Sequence, residues 1–264
     1  MKKFLALILT LVVALSCFAA CSNNDKPDSE YIQDKGKMVI GMTLFAPMDY
    51  KDADGNLTGF EVEFGKAVCE KLGVDAEFVE IDWNAKETEL KSKMIDCIWN
   101  GMTITPERQE NMSISIPYMA NKQVIITKAE NAEKYAASLE GAKIVAESGS
   151  AGEELATSNE FFKNGEFTAV KDQATALSDV KAGVADVAVV DYVLSIGSIG
   201  EGTDYADFVI IEKEEFGSEE YGIAFRKGSD MTEKVNAAIK ELAADGTLAK
   251  IAEKYKLQDV LLVK

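Results

Sequence analysis

Arg108 stands five residues beyond Thr103, after Thr105-Pro106-Glu107, a spacing at which one helical turn carries its guanidinium back to the preceding strand end. A planar fork of N–H donors matches a carboxylate with two parallel hydrogen bonds. Asp191 ends the apolar run VADVAVVD (184–191), where a carboxylate can meet an ammonium group. The segment ESGSAG (147–152) reads as backbone amides at a helix start, suited to an anionic group. Taken singly, these residues have plainer readings, since an exposed arginine is mostly solvated and a strand-end aspartate mostly caps a helix. Placed together on one cleft, they describe recognition of a small molecule carrying both charges.

Bond-breaking chemistry has fewer candidates. No histidine occurs in the 264 residues, which excludes the common zinc sites, the Ser-His-Asp triad and the Cys-His pair. Ser148 occupies the first glycine position of G-x-S-x-G, so ESGSAG is not a nucleophile elbow. Asp52-Ala53-Asp54-Gly55-Asn56 has its glycine fourth, where a calcium loop needs it sixth, and reads as a hairpin turn. Gly197 to Gly202 lacks the spacing of a dinucleotide or phosphate loop. No cofactor, metal or catalytic residue is expected.

The elements that must position these groups alternate. Met38 to Gly41 reads as a strand, Pro47 to Lys51 and Leu57 to Gly59 as short arms around the turn, and Phe60 to Leu72 as a helix closed by Gly73. Val74 to Ile81 is a strand, Lys86 to Lys93 a helix and Ile95 to Trp99 a strand. A second run begins at strand Lys143 to Ala146 and continues through helices from Glu153 and over Thr175 to Ala182 to strand Asp186 to Val190. This alternation implies an α/β chain with mainly parallel sheets. MIDCIWNG (94–101) and VADVAVVD are built alike, which points to two related halves. Met231 to Ala244 and Leu248 to Tyr255 read as closing helices. Asn100, Gly101, Met102 and Thr103 from one half, and Glu147 to Gly152 with Asp191 from the other, fall at strand ends, where open parallel sheets bind ligands.

GMTITPER (101–108), SIPY (115–118), GFEVEFGKAVCEKLGV (59–74) and EYGIAFRKGSD (220–230) resemble the polar amino-acid substrate-binding proteins of ABC transporters, over nearly all of Met38 to Tyr255. The resemblance implies a two-lobed type II periplasmic-binding-protein fold, each lobe a mainly parallel sheet flanked by helices. Residues 36–120 with 218–264 would form lobe 1 and residues 121–217 lobe 2, joined by crossings near Pro117 to Gln123 and Glu215 to Tyr221. It also implies that Arg108 holds an α-carboxylate, helped by Thr103 and by backbone at Ser150 and Ala151. Asp191 and the Gly101 carbonyl would hold the α-ammonium, with Phe45 and Trp83 sandwiching the ligand side chain. Asn100 and Glu147 complete the expected site. Met42 and Glu147 depart from patterns familiar in that family. A carboxylate at Glu147 would repel an acidic ligand in a desolvated cleft, so a neutral polar or basic amino acid is expected over an acidic one. An enzyme on the same fold, such as a cyclohexadienyl dehydratase with Glu147 as the acid, and a ligand-sensing module are the alternatives.

The N-terminus adds an address. Lys2 and Lys3 precede an apolar stretch, Phe4 to Leu15, and a small-residue segment, the pattern of a removable signal peptide over residues 1–20. FAAC (18–21) looks like a bacterial lipoprotein cleavage box. Cys21 is therefore the expected lipidated residue, with Cys17 the competing candidate, and residues 21–35 a polar tether. Lipidation would hold the chain on the outer face of the cytoplasmic membrane, where an ABC permease is its expected partner and a monomer its expected state. The formal charge of −17, about −19 once Lys2 and Lys3 are removed, argues against nucleic acid. Cys69 and Cys97 are expected as two buried thiols.

Overall fold

The computed structural model describes residues 26–213 and 216–264. The expected signal peptide, Cys17 and Cys21 lie outside the described residues.

The chain builds its strands in the order β1 (Lys37–Met42), β2 (Tyr50–Lys51), β3 (Leu57–Thr58), β4 (Asp75–Glu80), β5 (Cys97–Ile98), β6 (Met112–Ile114) and β7 (Met119–Asn121). There follow β8 (Gln123–Lys128), β9 (Lys143–Glu147), β10 (Glu166–Val170), β11 (Val187–Asp191), β12 (Phe208–Ile211), β13 (Glu219–Tyr221) and β14 (Ala224–Arg226). Two five-stranded sheets result, β4-β1-β5-β14-β6 in lobe 1 and β10-β9-β11-β8-β12 in lobe 2. In lobe 1, β1 is parallel to β4 and β5 while β14 is antiparallel to β5 and β6. In lobe 2, β9 is parallel to β10 and β11 while β8 is antiparallel to β11 and β12. Each sheet thus has one reversed strand, and in each it is the strand the chain enters directly from the crossing between lobes. A strand that starts at the cleft must run away from it, whereas the others end there.

The crossings pair with each other. Asn121 faces Glu219, Ala120 faces Glu220 and Met119 faces Tyr221 in an antiparallel ladder of β7 and β13. The C-terminal stretch straps the same hinge, with Ala120 N donating to Val260 O at 2.8 Å and Leu262 N to Tyr118 O at 3.0 Å.

Both sheets are covered on both faces. Helix Phe60–Leu72 buries Phe60, Phe64 and Val68 on its sheet-facing side, and Phe64 meets Trp99 edge to face at 4.9 Å. It starts at Gly59 because a Cβ there would lie 2.0 Å from Met48 O, and it stops at Gly73, whose φ of 70° only glycine adopts at little cost. In β8 the alternation is plain: Val124 and Ile126 join one apolar cluster and Ile125 another. The hairpin turn forms as read, with Asp52 Oδ1 accepting from the amides of Asp54 and Asn56. Cys69 and Cys97 are buried and unbonded.

The tether expected over residues 21–35 is corrected for its second half. Asp28–Lys35 is a helix ended by Gly36, with Ile32 fully buried. Arg226 Nε donates to both Asp28 oxygens at 3.0 Å, Ser29 N donates to Asp230 at 3.0 Å, and Lys35 pairs with the buried Asp96. Composition marks DSEYIQDK as polar, yet its charges find specific partners far along the chain.

Candidate ligand cleft

A small cavity of about 10 Å³ lies where the strand ends of the two lobes meet. Lobe 1 lines it with Trp83, Asn100, Gly101, Thr103 and Arg108, and lobe 2 with Glu147, Ser150, Ala151, Gln173 and Asp191. Nine of the ten expected site residues therefore share one space. Phe45 does not: it lines a separate apolar pocket with Tyr50, Leu177, Leu194 and Tyr205. Its ring tip lies 2.8 Å from where a Cβ at Gly101 would stand, so it packs behind Gly101, whose φ is 54°. An aromatic at this position serves the shape of the strand end.

Arg108 reaches the cavity through the turn that the spacing implied. Thr105 caps helix Pro106–Asn111, its hydroxyl accepting from Arg108 N at 3.2 Å, and Pro106 takes the first helical position. Arg108 Nη1 then donates to Thr103 O at 2.7 Å. Burial lowers its pKa, but a guanidinium remains charged. Among the described residues it forms no ion pair, so most of its donors are free to meet an anion.

Asp191 sits opposite in a nest of carboxamides. Asn121 Nδ2 and Gln123 Nε2 donate to Oδ1 at 2.6 and 2.7 Å, Gln173 Nε2 donates to Oδ2, and Asp191 N returns a bond to Gln173 Oε1 at 3.0 Å. The same two amides donate to Glu219 Oε2 at 2.9 and 3.0 Å, where the Thr103 hydroxyl adds a third bond at 3.1 Å. Burial pushes both carboxyls above their ordinary range, and for Glu219 the nearby Asp191 charge adds to it. Two carboxylates held together by neutral amides form a site of surplus negative charge, complementary to an ammonium group.

Glu147, 3% exposed, accepts from Thr43 Oγ1 of lobe 1 at 3.1 Å. Burial and then Asp191 push its pKa up to about 8. Lys86, 7% exposed, crosses the other way: its Nζ donates to Trp83 O at 3.1 Å and to Gly149 O of lobe 2 at 3.0 Å, and lies 4.8 Å from the Trp83 ring centroid. Burial and Arg108 bring its pKa down to about 8. With Ser198 Oγ bonded to Ala46 O at 3.3 Å, these contacts close the lobes on each other.

Beneath the lobe 1 strand end lies a buried acid pair. Gly101 N donates to both Glu61 oxygens at 2.9 and 3.1 Å, Tyr118 also donates to Glu61, and Asn100 Nδ2 donates to Asp49 Oδ2 at 3.0 Å. Burial raises both carboxyls, Asp49 well above its ordinary value with Glu61 adding to it. Asp49 Oδ1 has no hydrogen-bond partner among the described residues, so a proton shared by the pair would sit there.

The loop 147–152 is corrected in detail. The amides of Ser148, Gly149 and Ser150 are already bonded, to Val170 O, Glu153 Oε2 and Glu147 O. Ser150 Oγ caps the helix by accepting from Glu153 N at 3.1 Å, while Glu153 reaches back to the Gly149 amide, one residue before the cap. The amides left for an anion are those that open helix Ala151–Ser158. Sequence reasoning also missed Gln173, Glu219, Asn121, Gln123 and Lys86. Gln173 had a usable signal, following the cap Asp172 at the first helical position. Among the described residues no group of three or more metal-binding side chains converges.

The fold and this cleft define an extracellular solute-binding protein: the chain belongs to the bacterial extracellular solute-binding proteins, family 3, whose profile matches residues 24–258. It is 32% identical to the arginine-binding extracellular protein ArtP of Bacillus subtilis (strain 168), over 97% of this chain and 98% of that one. It is 31% identical to the L-cystine-binding protein TcyJ of Escherichia coli (strain K12), over 87% and 86%. In structure it is similar to an ABC uptake transporter substrate-binding protein from Streptococcus pneumoniae with bound histidine, at a TM-score of 0.81 and 28% identity, covering 90% of this chain and all of that one.

Proposed function

We propose that the protein takes up a free amino acid in this cleft, favouring neutral polar or basic side chains over acidic ones, and hands it to an ABC importer. The observation that carries the reading is the opposition of a half-buried guanidinium at Arg108, without an ion pair among the described residues, to the amide-held carboxylate of Asp191 across one cavity. A zwitterion satisfies both ends at once. In this reading Arg108, Thr103 and the amides at Ala151 hold the α-carboxylate. Asp191 and the Gly101 carbonyl hold the α-ammonium, and Trp83, Asn100, Glu147 and Ser150 surround the side chain. The relatives that bind arginine, histidine and cystine support the amino-acid class.

Residues 36–120 with 218–264 and residues 121–217 act as two leaves, and only contacts that differ between open and closed forms drive closure. The protein works as a monomer without cofactor or catalysis, carried to the membrane face by a lipid on Cys21 after loss of residues 1–20. Titration calorimetry of the chain from residue 22 against the common amino acids tests the binding claim. Glutamine, arginine, lysine or cystine binding above glutamate supports it, and glutamate binding above all of them overturns it. Radiolabelled palmitate incorporated by the wild type and lost in Cys21→Ser supports the anchor, and labelling that persists in that variant overturns the choice of Cys21.

A further inference from the structure

Thr43, Asn100 and Glu147 are buried together at the seam between the lobes, and the Thr43 hydroxyl has a single proton for two acceptors. Its Oγ1 lies 2.7 Å from Asn100 Oδ1 and 3.1 Å from Glu147 Oε1. The Asn100 carboxamide cannot turn round to relieve this. Its Nδ2 already donates to Thr43 O at 2.9 Å and to Asp49 Oδ2 at 3.0 Å, and its Oδ1 accepts from Thr43 N at 2.9 Å. The hydroxyl proton belongs to the shorter contact, because two oxygens that close repel with no proton between them. The contact with Glu147 then needs a proton of its own, which the Glu147 carboxyl supplies by donating to Thr43 Oγ1. Counted by protons, this bond runs from lobe 2 to lobe 1.

The surroundings agree with a neutral acid. Burial, Asp191 at the end of β11 and Asp172 at the cap of helix Gln173–Ala182 all act against a charge on Glu147 and bring its pKa up to about 8. Of the neighbouring charges only Lys86 favours ionisation, and its ammonium is bonded to the carbonyls of Trp83 and Gly149. Arg108 lines the same cavity and, in the proposed reading, is taken by the ligand's α-carboxylate.

We infer that Glu147 senses the charge of the ligand side chain: it stands in the cleft as a neutral acid toward an uncharged side chain and gives its proton to solvent when the side chain is a cation. This rests on the proposed amino-acid function and deepens it. Glu147 lines the cavity with Trp83, and among the described residues its Oε2 accepts no hydrogen bond, so one oxygen remains for the ligand. A carboxamide or urea group pairs with a carboxylic acid, which donates and accepts at once. A guanidinium or ammonium pairs with the carboxylate and favours its ionisation. One residue thus admits both classes, with a preference that follows pH. The cationic ligand is bound with one proton fewer than the neutral one, so its relative affinity rises with pH.

The test is titration calorimetry of the chain from residue 22 with arginine and citrulline, whose side chains differ in charge and little in shape, in buffers of different ionisation enthalpy. In the wild type, the arginine complex should hold about one proton fewer than the citrulline complex, and arginine should gain on citrulline about tenfold in Kd per pH unit between about pH 5.5 and 7.5. In Glu147→Gln both differences should vanish. Asp191 and Glu219 face the α-ammonium common to both ligands, so their titration cancels. Equal proton counts in the wild type, or a ratio of affinities that ignores pH, overturn the inference without touching the amino-acid function. So does a difference that persists in Glu147→Gln, which would move the titrating group to Lys86. Binding of only one charge class overturns it as well. If Glu147→Gln fails to fold, the wild-type proton difference alone decides. If the wild type binds no amino acid, the proposed function falls and this inference with it.

Discussion

In lobe 1 carboxyl groups hold neutral groups in place, Asp49 under Asn100 and Glu61 under Gly101, whereas in lobe 2 carboxamides hold a carboxylate, with Gln173, Gln123 and Asn121 around Asp191. The two sheets share one strand order and one reversed strand, so the backbone does not account for the difference. Its sense is electrostatic. Amides stabilise an anion without neutralising it, leaving the charge of Asp191 available to a cation from outside. A lysine or arginine partner would have satisfied it internally. In lobe 1 the charge presented to the cleft is Arg108, and the acids below it are engaged inside the core by Asn100 and the Gly101 amide.

The comparison can be broken at five residues. Arg108→Ala should cost at least about 3 kcal/mol of binding, more than a hundredfold in affinity, while the melting temperature of the free protein stays nearly unchanged. Calorimetry and a melting curve check both halves, and a variant of near-native affinity would remove Arg108 from the site. Glu61→Ala strands the Gly101 amide and the Tyr118 hydroxyl in the core and should cost about 3 kcal/mol of stability. Asp49→Asn keeps a donor toward Glu61 and should cost under about 1 kcal/mol by the same reasoning, so equal losses in urea titration would refute the shared proton.

Gln173→Ala takes one donor from Asp191 and should weaken binding about tenfold with a small loss of stability. An unchanged affinity would show that the other two amides suffice.

The smallest effect is a slope with pH. The Glu147 carboxyl is raised from 4.5 to about 8 in the folded chain, so the folded state holds a proton that the unfolded state releases. Its contribution to stability is complete below pH 4.5 and is lost as pH rises toward 8. Glu147→Gln should flatten that part of the decline in melting temperature between pH 5 and 8, and identical slopes for both proteins would remove Glu147 from the linkage.

Much of this architecture was legible in the sequence. Helices Phe60–Leu72 and Met231–Ala244 match their apolar periodicity to the residue, since their faces pack on a sheet and Gly73 stops the first. The turn after Thr103 was readable because Thr105 and Pro106 state a helix start locally. Strands β6, β7 and β8 were not read, because β7 is a three-residue hinge strand and β8 is buried on both faces, so neither shows a polar-apolar alternation. The amides around Asp191 and the crossing of Lys86 to Gly149 depend on which lobe faces which, and no local pattern encodes that. Phe45 failed for the complementary reason: its type fits a ligand platform, but its neighbours Tyr50, Leu177 and Leu194 claim the ring.

Helix Asp28–Lys35 decides how load enters the molecule. Its ion pairs to Arg226 and Asp96 weld the first described residues to the sheet of lobe 1, and the last ones, at Val260 to Leu262, are strapped to the hinge. Lobe 2 carries neither end. In the proposed hinge reading, a pull on the N-terminal side would be borne by lobe 1 as a chassis while lobe 2 would swing as an unloaded leaf.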